Sequence, residues 1–286
     1  MDVRLVDIGK VLTRTSGYLE TVTSHSLQPY RGCSLGSSLC GVACYVRHSV
    51  HITRGRTWGE FLEVRRNAAE SYLRHVVAER RWARKNRGTF SVFLSSSTEP
   101  FLPQERRYGI TRSVLEAMLT EPPDELVVQT HSHRVSSALD LLEPLAARCR
   151  LRCHVSIETD RDRLVDVLPN HASPVAWRFE AASRLRRAGL HTVITVSPLL
   201  PIADPETFFA RVADCADAVV LDHFIGGDGS KNGSRTRRTR LPEAMEAVEP
   251  GSSELDYLHR MVDVARRFLP GRVGVSVDGF AGRMLL

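Results

Sequence analysis

No apolar run in this sequence approaches the roughly 20 residues needed to cross a bilayer. The opening stretch, MDVRLVDIGKVLTRT, places Asp2, Arg4, Asp7 and Lys10 where a secretory leader carries its apolar segment. A cytoplasmic protein without a membrane span is therefore expected. There is no internal repeat and no low-complexity tail, which excludes a repeat architecture. Charge of one sign is in only modest excess: 39 Lys and Arg against 33 Asp and Glu leave +6, with a sequence pI near 9.2. Such a surplus suits an anionic partner, nucleic acid included, but prescribes none. In a reducing compartment six cysteines are expected to serve metal or redox roles rather than a disulfide framework.

What is present is an ordinary globular composition, 42% hydrophobic and 25% charged, which excludes wholesale disorder. The 286 residues suffice for one large α/β domain or two modest ones. From about residue 58 the chain alternates between two periods. Phe61, Val64, Ala68, Tyr72 and Val76 fall at helical spacing and predict a helix over 60–87. Strands are expected at 90–97, 125–132, 153–159, 191–200, 217–226 and 272–280, with one further extended segment at about 22–31. Between them, 110–119, 136–149, 174–189, 205–216 and 254–269 read as helices; the third opens at a Pro and closes at Gly189. Short β-branched strands separated by amphipathic helices mean repeated βα units on a parallel sheet. Six or seven strands suit an open or partial barrel better than an eight-fold one. In such folds chemistry gathers at the C-terminal strand ends. The stretch 226–253 breaks the pattern: it is rich in Gly and Ser, carries Lys231, Arg235, Arg237, Arg238 and Arg240, and reads as a mobile surface loop, either solvated or closing on an anionic substrate.

Cys33, Cys40 and Cys44 lie within twelve residues of one another. Thiolates at that density suit an iron–sulfur cluster. They also suit a structural zinc site with His48 or His51 as fourth ligand. Free buried thiols are the third reading, although Gly32, Gly36, Gly41 and the serines predict a loop rather than a core helix. Cys149, Cys153 and Cys215 read as core thiols.

The surrounding residues select among these. Gln28-Pro29-Tyr30-Arg31-Gly32-Cys33 followed by Cys44-Tyr45-Val46-Arg47 resembles the signature of the radical S-adenosylmethionine superfamily, in its spore photoproduct lyase-like branch. Four further stretches resemble that branch in order, each at an expected strand end: Ser97 to Glu105 with Ile110-Thr111-Arg112, Thr130-His131-Ser132, Ser156-Ile157-Glu158-Thr159, and Ser197 to Pro201. Together they cover about residues 16–225. The chain departs from the usual Cys-x3-Cys-x2-Cys spacing, with Cys-x6-Cys-x3-Cys, and has Ala43 before the last cysteine, Glu99 for an aspartate and His131 for a lysine.

The resemblance implies a single domain over 1–286, a partial (β/α)6 TIM-like barrel of the radical SAM type. It implies a [4Fe–4S] cluster on Cys33, Cys40 and Cys44 and S-adenosylmethionine as second cofactor, cleaved reductively to a 5′-deoxyadenosyl radical with electrons from an external donor such as flavodoxin or ferredoxin. By position, Ser97, Thr98 and Glu99 are expected on the methionyl amino group, and His131 and Ser132 on the methionyl carboxylate or ribose, His131 as a neutral donor. Glu158 is expected on the ribose and Arg178 on the methionyl carboxylate. The branch's hydrogen-donating cysteine has no counterpart in Ser95-Ser96-Ser97-Thr98, so the substrate stays open. The rival reading is a zinc- or cluster-stabilised nucleic-acid-binding protein without turnover.

Overall fold

The computed structural model describes residues 1–286, the Ala43 side chain excepted. Eleven strands are formed in chain order: β1 (Asp2–Val6), β2 (Leu12–Arg14), β3 (His25–Leu27), β4 (Tyr30–Gly32), β5 (Phe61–Arg65), β6 (Ser91–Leu94), β7 (Glu125–Thr130), β8 (Arg150–Ser156), β9 (Thr192–Val196), β10 (Ala218–Leu221) and β11 (Val273–Val275). Eight of them make one sheet in the order β11-β10-β9-β8-β7-β6-β3-β2, parallel throughout except for the β2–β3 pair. β1, β5 and β4 form a small second sheet.

The large sheet curls into a partial barrel. Its two edges, β2 and β11, do not pair among the described residues. The gap is bridged by the turn Gly17–Thr21 and the short helix Ser276–Phe280, where Tyr18 meets Phe280 edge-on at 6.1 Å. Helices Ala68–Arg87, Ile110–Thr120, Leu139–Ala146, Val175–Arg187, Pro205–Cys215 and Leu255–Phe268 follow the strands, and their apolar residues share one continuous core with the outward-facing strand residues. Cys153 and Cys215 are buried in that core and Cys149 packs against it.

Side chains alternate along a strand, so one parity faces the barrel interior. Phe93, Val127, Val193, Ala218 and Val220 fill that interior with Phe280. One step further along, Gln129 Nε2 donates to Ser156 Oγ (2.6 Å) and to Thr195 Oγ1 (3.0 Å). The next residues of the same parity, Ser95, His131, Glu158, Ser197 and Asp222, stand at or just past the strand ends. The rows therefore deliver five polar side chains to one mouth.

Four sequence expectations change. The helix expected over 60–87 begins only at Ala68; Phe61 and Val64 belong to β5, whose pairing with β1 and β4 overrides the helical spacing. The single extended segment at 22–31 is two strands, β3 and β4, in different sheets. Only Val273–Val275 of 272–280 is strand; the remainder turns into the helix Ser276–Phe280. The basic stretch 226–253 is built rather than loose: Asp228 accepts from Ser230 N–H, Ser230 Oγ and Thr236 N–H, and the helix Leu241–Val248 packs Leu241 and Met245 with Leu39, Leu164, Leu200 and Phe224.

Candidate active site at the strand ends

The mouth of the barrel opens on a cavity of about 230 Å³. Cys33, Cys40 and Cys44 form one wall; Ser95, Ser96, Ser97, Thr98 and Glu99 line it after β6, His131 after β7, Glu158 after β8, Ser197 after β9 and Asp222 after β10. The segment 224–236 covers it with Phe224, Asp228 and Thr236.

The cysteine wall is fixed by contacts that explain several motif residues. Gly32 has a φ of +82°, and a Cβ there would lie 2.4 Å from the Phe61 carbonyl oxygen, so only glycine lets the chain turn into Cys33. Arg31 donates to the carbonyls of His51 (3.0 Å) and Ile52 (2.9 Å), clamping the far end of the loop. The Tyr30 hydroxyl donates to Glu105, whose carboxylate also accepts from the N–H groups of Thr111 and Arg112. Gln28 holds the opposite wall, donating to Ser96 Oγ (2.8 Å) and accepting from Ser97 N–H (3.3 Å). Against the loop expectation, Cys40 sits within the short helix Leu39–Ala43, capped by Ser38, and Cys44 follows its end.

All three cysteines are free. Burial raises the Cys33 thiol well above its ordinary value and pushes Cys44 up to about 12, each further raised by Cys40. Cys33 is buried and Cys40 and Cys44 are half-buried, and a cationic centre bound among them would favour their thiolate forms. Among the described residues no group of three or more His, Cys, Asp and Glu side chains gathers round one point to hold a single ion. His48 and His51 do not line the cavity. Three soft donors on one wall fit a cubane, in which each thiolate would take a different iron.

Opposite lies a buried charge relay. Glu158 Oε1 accepts from His131 Nδ1 at 2.7 Å, and Glu158 Oε2 accepts from Arg178 Nη1 at 2.6 Å. Burial alone would raise the Glu158 carboxyl, but Arg178 and His131 hold it well below the usual range. Burial likewise opposes a charged His131, yet the neighbouring Cys40 and Glu158 carry its pKa well above the ordinary 6.5, which favours the imidazolium over the expected neutral donor. His171, missed in the sequence, stands 3.7 Å from Glu158; burial takes its pKa down to about 4 and it stays neutral. Glu99 accepts from Phe101 N–H (2.9 Å), His131 N–H (2.8 Å) and Thr130 Oγ1 (2.6 Å), and burial still raises its carboxyl. One acceptor position of Glu99 remains open.

Ser132 and Arg178 do not reach the cavity. Ser132 caps the turn after β7 by accepting from Arg134 N–H (3.2 Å), and Arg178, 1% exposed, lies behind Glu158. Ser95 Oγ, Thr98 Oγ1 and Gln129 Oε1 line the cavity, buried and without a hydrogen-bond partner. Buried polar atoms are normally paired, so three orphans on one wall mark the place of a ligand.

No family model matches the sequence, and no curated protein does. Solved structures do. A spore photoproduct lyase variant with bound AdoMet and dinucleoside spore photoproduct superposes with a TM-score of 0.59 at 14% identity, over 95% of this chain and 81% of that one. A second variant gives 0.62 at 14% identity over the same shares. The chain has the fold of spore photoproduct lyase. The likeness to spore photoproduct lyase covers 95% of this chain and so runs beyond the 16–225 stretch that carries the sequence motifs. Asp222 lies in the part the motifs barely reach. The signal that could have found it is parity: Ala218, Val220 and Asp222 are one inward row.

Proposed function

We propose that the protein is a radical S-adenosylmethionine enzyme, with Cys33, Cys40 and Cys44 as ligands of a [4Fe–4S] cluster and S-adenosylmethionine beside it. The observation that carries this reading is the meeting of the three thiols and the unpaired strand-end groups on one cavity. When bound, cluster and S-adenosylmethionine would supply a carbon-centred radical that takes hydrogen from a substrate. The chain's own part is to place and enclose. The free acceptor on Glu99 and the Thr98 hydroxyl take the methionyl ammonium, with Ser97 beside them. His131, held charged by Glu158, takes the methionyl carboxylate. Arg178 and Ser132 position these groups rather than touch the cofactor, and Phe224 with the segment to Thr236 keeps water out.

An external one-electron donor, flavodoxin- or ferredoxin-like, would approach the cysteine loop, where Arg47, Arg238 and Arg235 stand close enough to His48 to join burial in lowering its pKa. No helix is long and apolar enough to cross a membrane among the described residues. Anaerobic reconstitution with iron and sulfide is the test. A brown protein absorbing near ~400 nm that releases 5′-deoxyadenosine from S-adenosylmethionine under reduction is the expected result. A colourless protein holding one tight zinc would overturn the reading in favour of the zinc-stabilised rival.

A further inference from the structure

Four carboxylates line the cavity, and no Lys or Arg does among the described residues. Three of the four are already answered. Glu158 has Arg178 and His131, Glu99 has two backbone N–H groups and a hydroxyl, and Asp228 has the N–H groups of Ser230 and Thr236. Asp222 has only hydroxyls: Ser276 Oγ on Oδ1 at 2.8 Å and Ser197 Oγ on Oδ2 at 3.1 Å. The Tyr18 hydroxyl stands near as a third neutral partner, and at least one acceptor position of the carboxylate stays open. The other titratable groups that face it are Tyr18, Tyr45 and Asp228, none of them cationic.

The surroundings are arranged to keep this carboxyl dry and aimed. Asp222 is 3% exposed. A Cβ on Gly227 would lie 2.4 Å from Asp222 Oδ2, so the backbone of the covering segment passes directly over it. Ser276 delivers its hydroxyl from a left-handed backbone, φ 46°, which an L-residue adopts at a cost. The nearby wall is apolar, made by Leu19, Phe93, Phe224 and Phe280. Independently, Ser95, 5% exposed, presents a partnerless hydroxyl to the same cavity and does so from φ 72°. A desolvated carboxylate with no counter-charge is costly unless a bound partner brings one. A phosphodiester entering this site would meet four carboxyl groups and no Lys or Arg side chain.

We infer that the cavity takes an organic cation as substrate, a primary amine or guanidine whose charged nitrogen sits on Asp222 while its carbon skeleton lies against Phe93 and Phe280. The inference rests on the radical-enzyme reading only for what then happens to that substrate. A cation there would also draw the Asp222 carboxyl, which burial raises to about 6, back down.

The test is calorimetric titration of the anaerobically reconstituted protein at about pH 8 with n-pentylamine, n-pentylguanidine, 1-pentanol and a thymidine dinucleotide, with S-adenosylmethionine titrated in parallel. At least one cation should bind roughly tenfold more tightly than 1-pentanol. The preference should vanish in Asp222→Asn, whose S-adenosylmethionine affinity stays within about twofold. In the unsubstituted protein it should shrink at about pH 5, below the Asp222 pKa, which keeps the test alive if the variant does not fold. Cations that bind no better than 1-pentanol, a preference that survives both changes, or a dinucleotide that binds more tightly than either cation would each overturn the inference. Loss of S-adenosylmethionine binding in the unsubstituted protein, with the cation preference intact, would instead sink the proposed function alone.

Discussion

Arg178 Nη1 lies 2.6 Å from Glu158 Oε2, and the two side chains are 1% and 3% exposed. This ion pair joins the helix Val175–Arg187 to the end of β8, and Arg178 Nη1 also donates to the Ser156 carbonyl at 2.6 Å. It fixes the carboxylate on which His131 turns. Removing one partner of a buried pair strands the other, whereas removing both does not.

Arg178→Met is therefore expected to lower stability by about 3–5 kcal/mol, because the Glu158 charge stays buried. Arg178→Met with Glu158→Gln together should recover most of that loss. Urea denaturation of the two variants decides it; a double variant as unstable as Arg178→Met would show that packing, not charge, sets the cost.

Single replacements Cys33→Ala, Cys40→Ala and Cys44→Ala are each expected to abolish cluster loading. Cys149→Ala, Cys153→Ala and Cys215→Ala, at positions packed in or against the core, should retain it. Iron and acid-labile sulfide counts after reconstitution check this. A requirement for Cys149 or Cys153 equal to that for Cys40 would mean the ligand set is wrong.

Thr98 Oγ1 is buried without a partner, so Thr98→Val removes an unpaired hydroxyl at nearly constant volume. Stability should stay level or rise by up to about 1 kcal/mol. Affinity for S-adenosylmethionine should fall roughly tenfold, the size of one lost hydrogen bond to a charged group. Thermal melts and calorimetry together separate this from a structural role, which would move stability in the opposite direction.

Asp222 has its carboxyl raised by burial from 3.8 to about 6. The folded protein thus holds this proton more tightly than the unfolded chain. The resulting stability is fully present below the unfolded value and is lost as pH rises through about 6. Above that, ionised Asp222 works against the fold by about 3 kcal/mol. Asp222→Asn should accordingly gain about 2 kcal/mol on the unsubstituted protein between about pH 4.5 and pH 8. Denaturation at the two pH values measures the gap; one that does not widen with pH would show that Asp222 has a cationic partner in the free protein.

The order of elements was legible because strand and helix leave different periods. Runs such as β9, TVITV, and β10, AVVL, are continuous and β-branched because both faces are buried, and the helices between them are amphipathic. The cysteines and the strand-end motifs were likewise readable, since each is a local cluster of residue types whose chemistry does not depend on distant neighbours. Phe61 and Val64 were misread because their pairing with β1, about sixty residues away, outweighs the local pattern.

What the tertiary structure alone decided is which polar groups already have partners. Arg178 was expected on the cofactor, but burial against Glu158 turns it into a support. His131 was expected neutral, but Cys40 and Glu158, brought to it from other elements, raise its pKa. Asp222 falls inside the strand expected at 217–226; only closure of the barrel, which puts Gly227, Ser197 and Ser276 around it, leaves its buried carboxyl held by hydroxyls alone. Residue type is local, but desolvation and pairing are properties of what folding brings alongside.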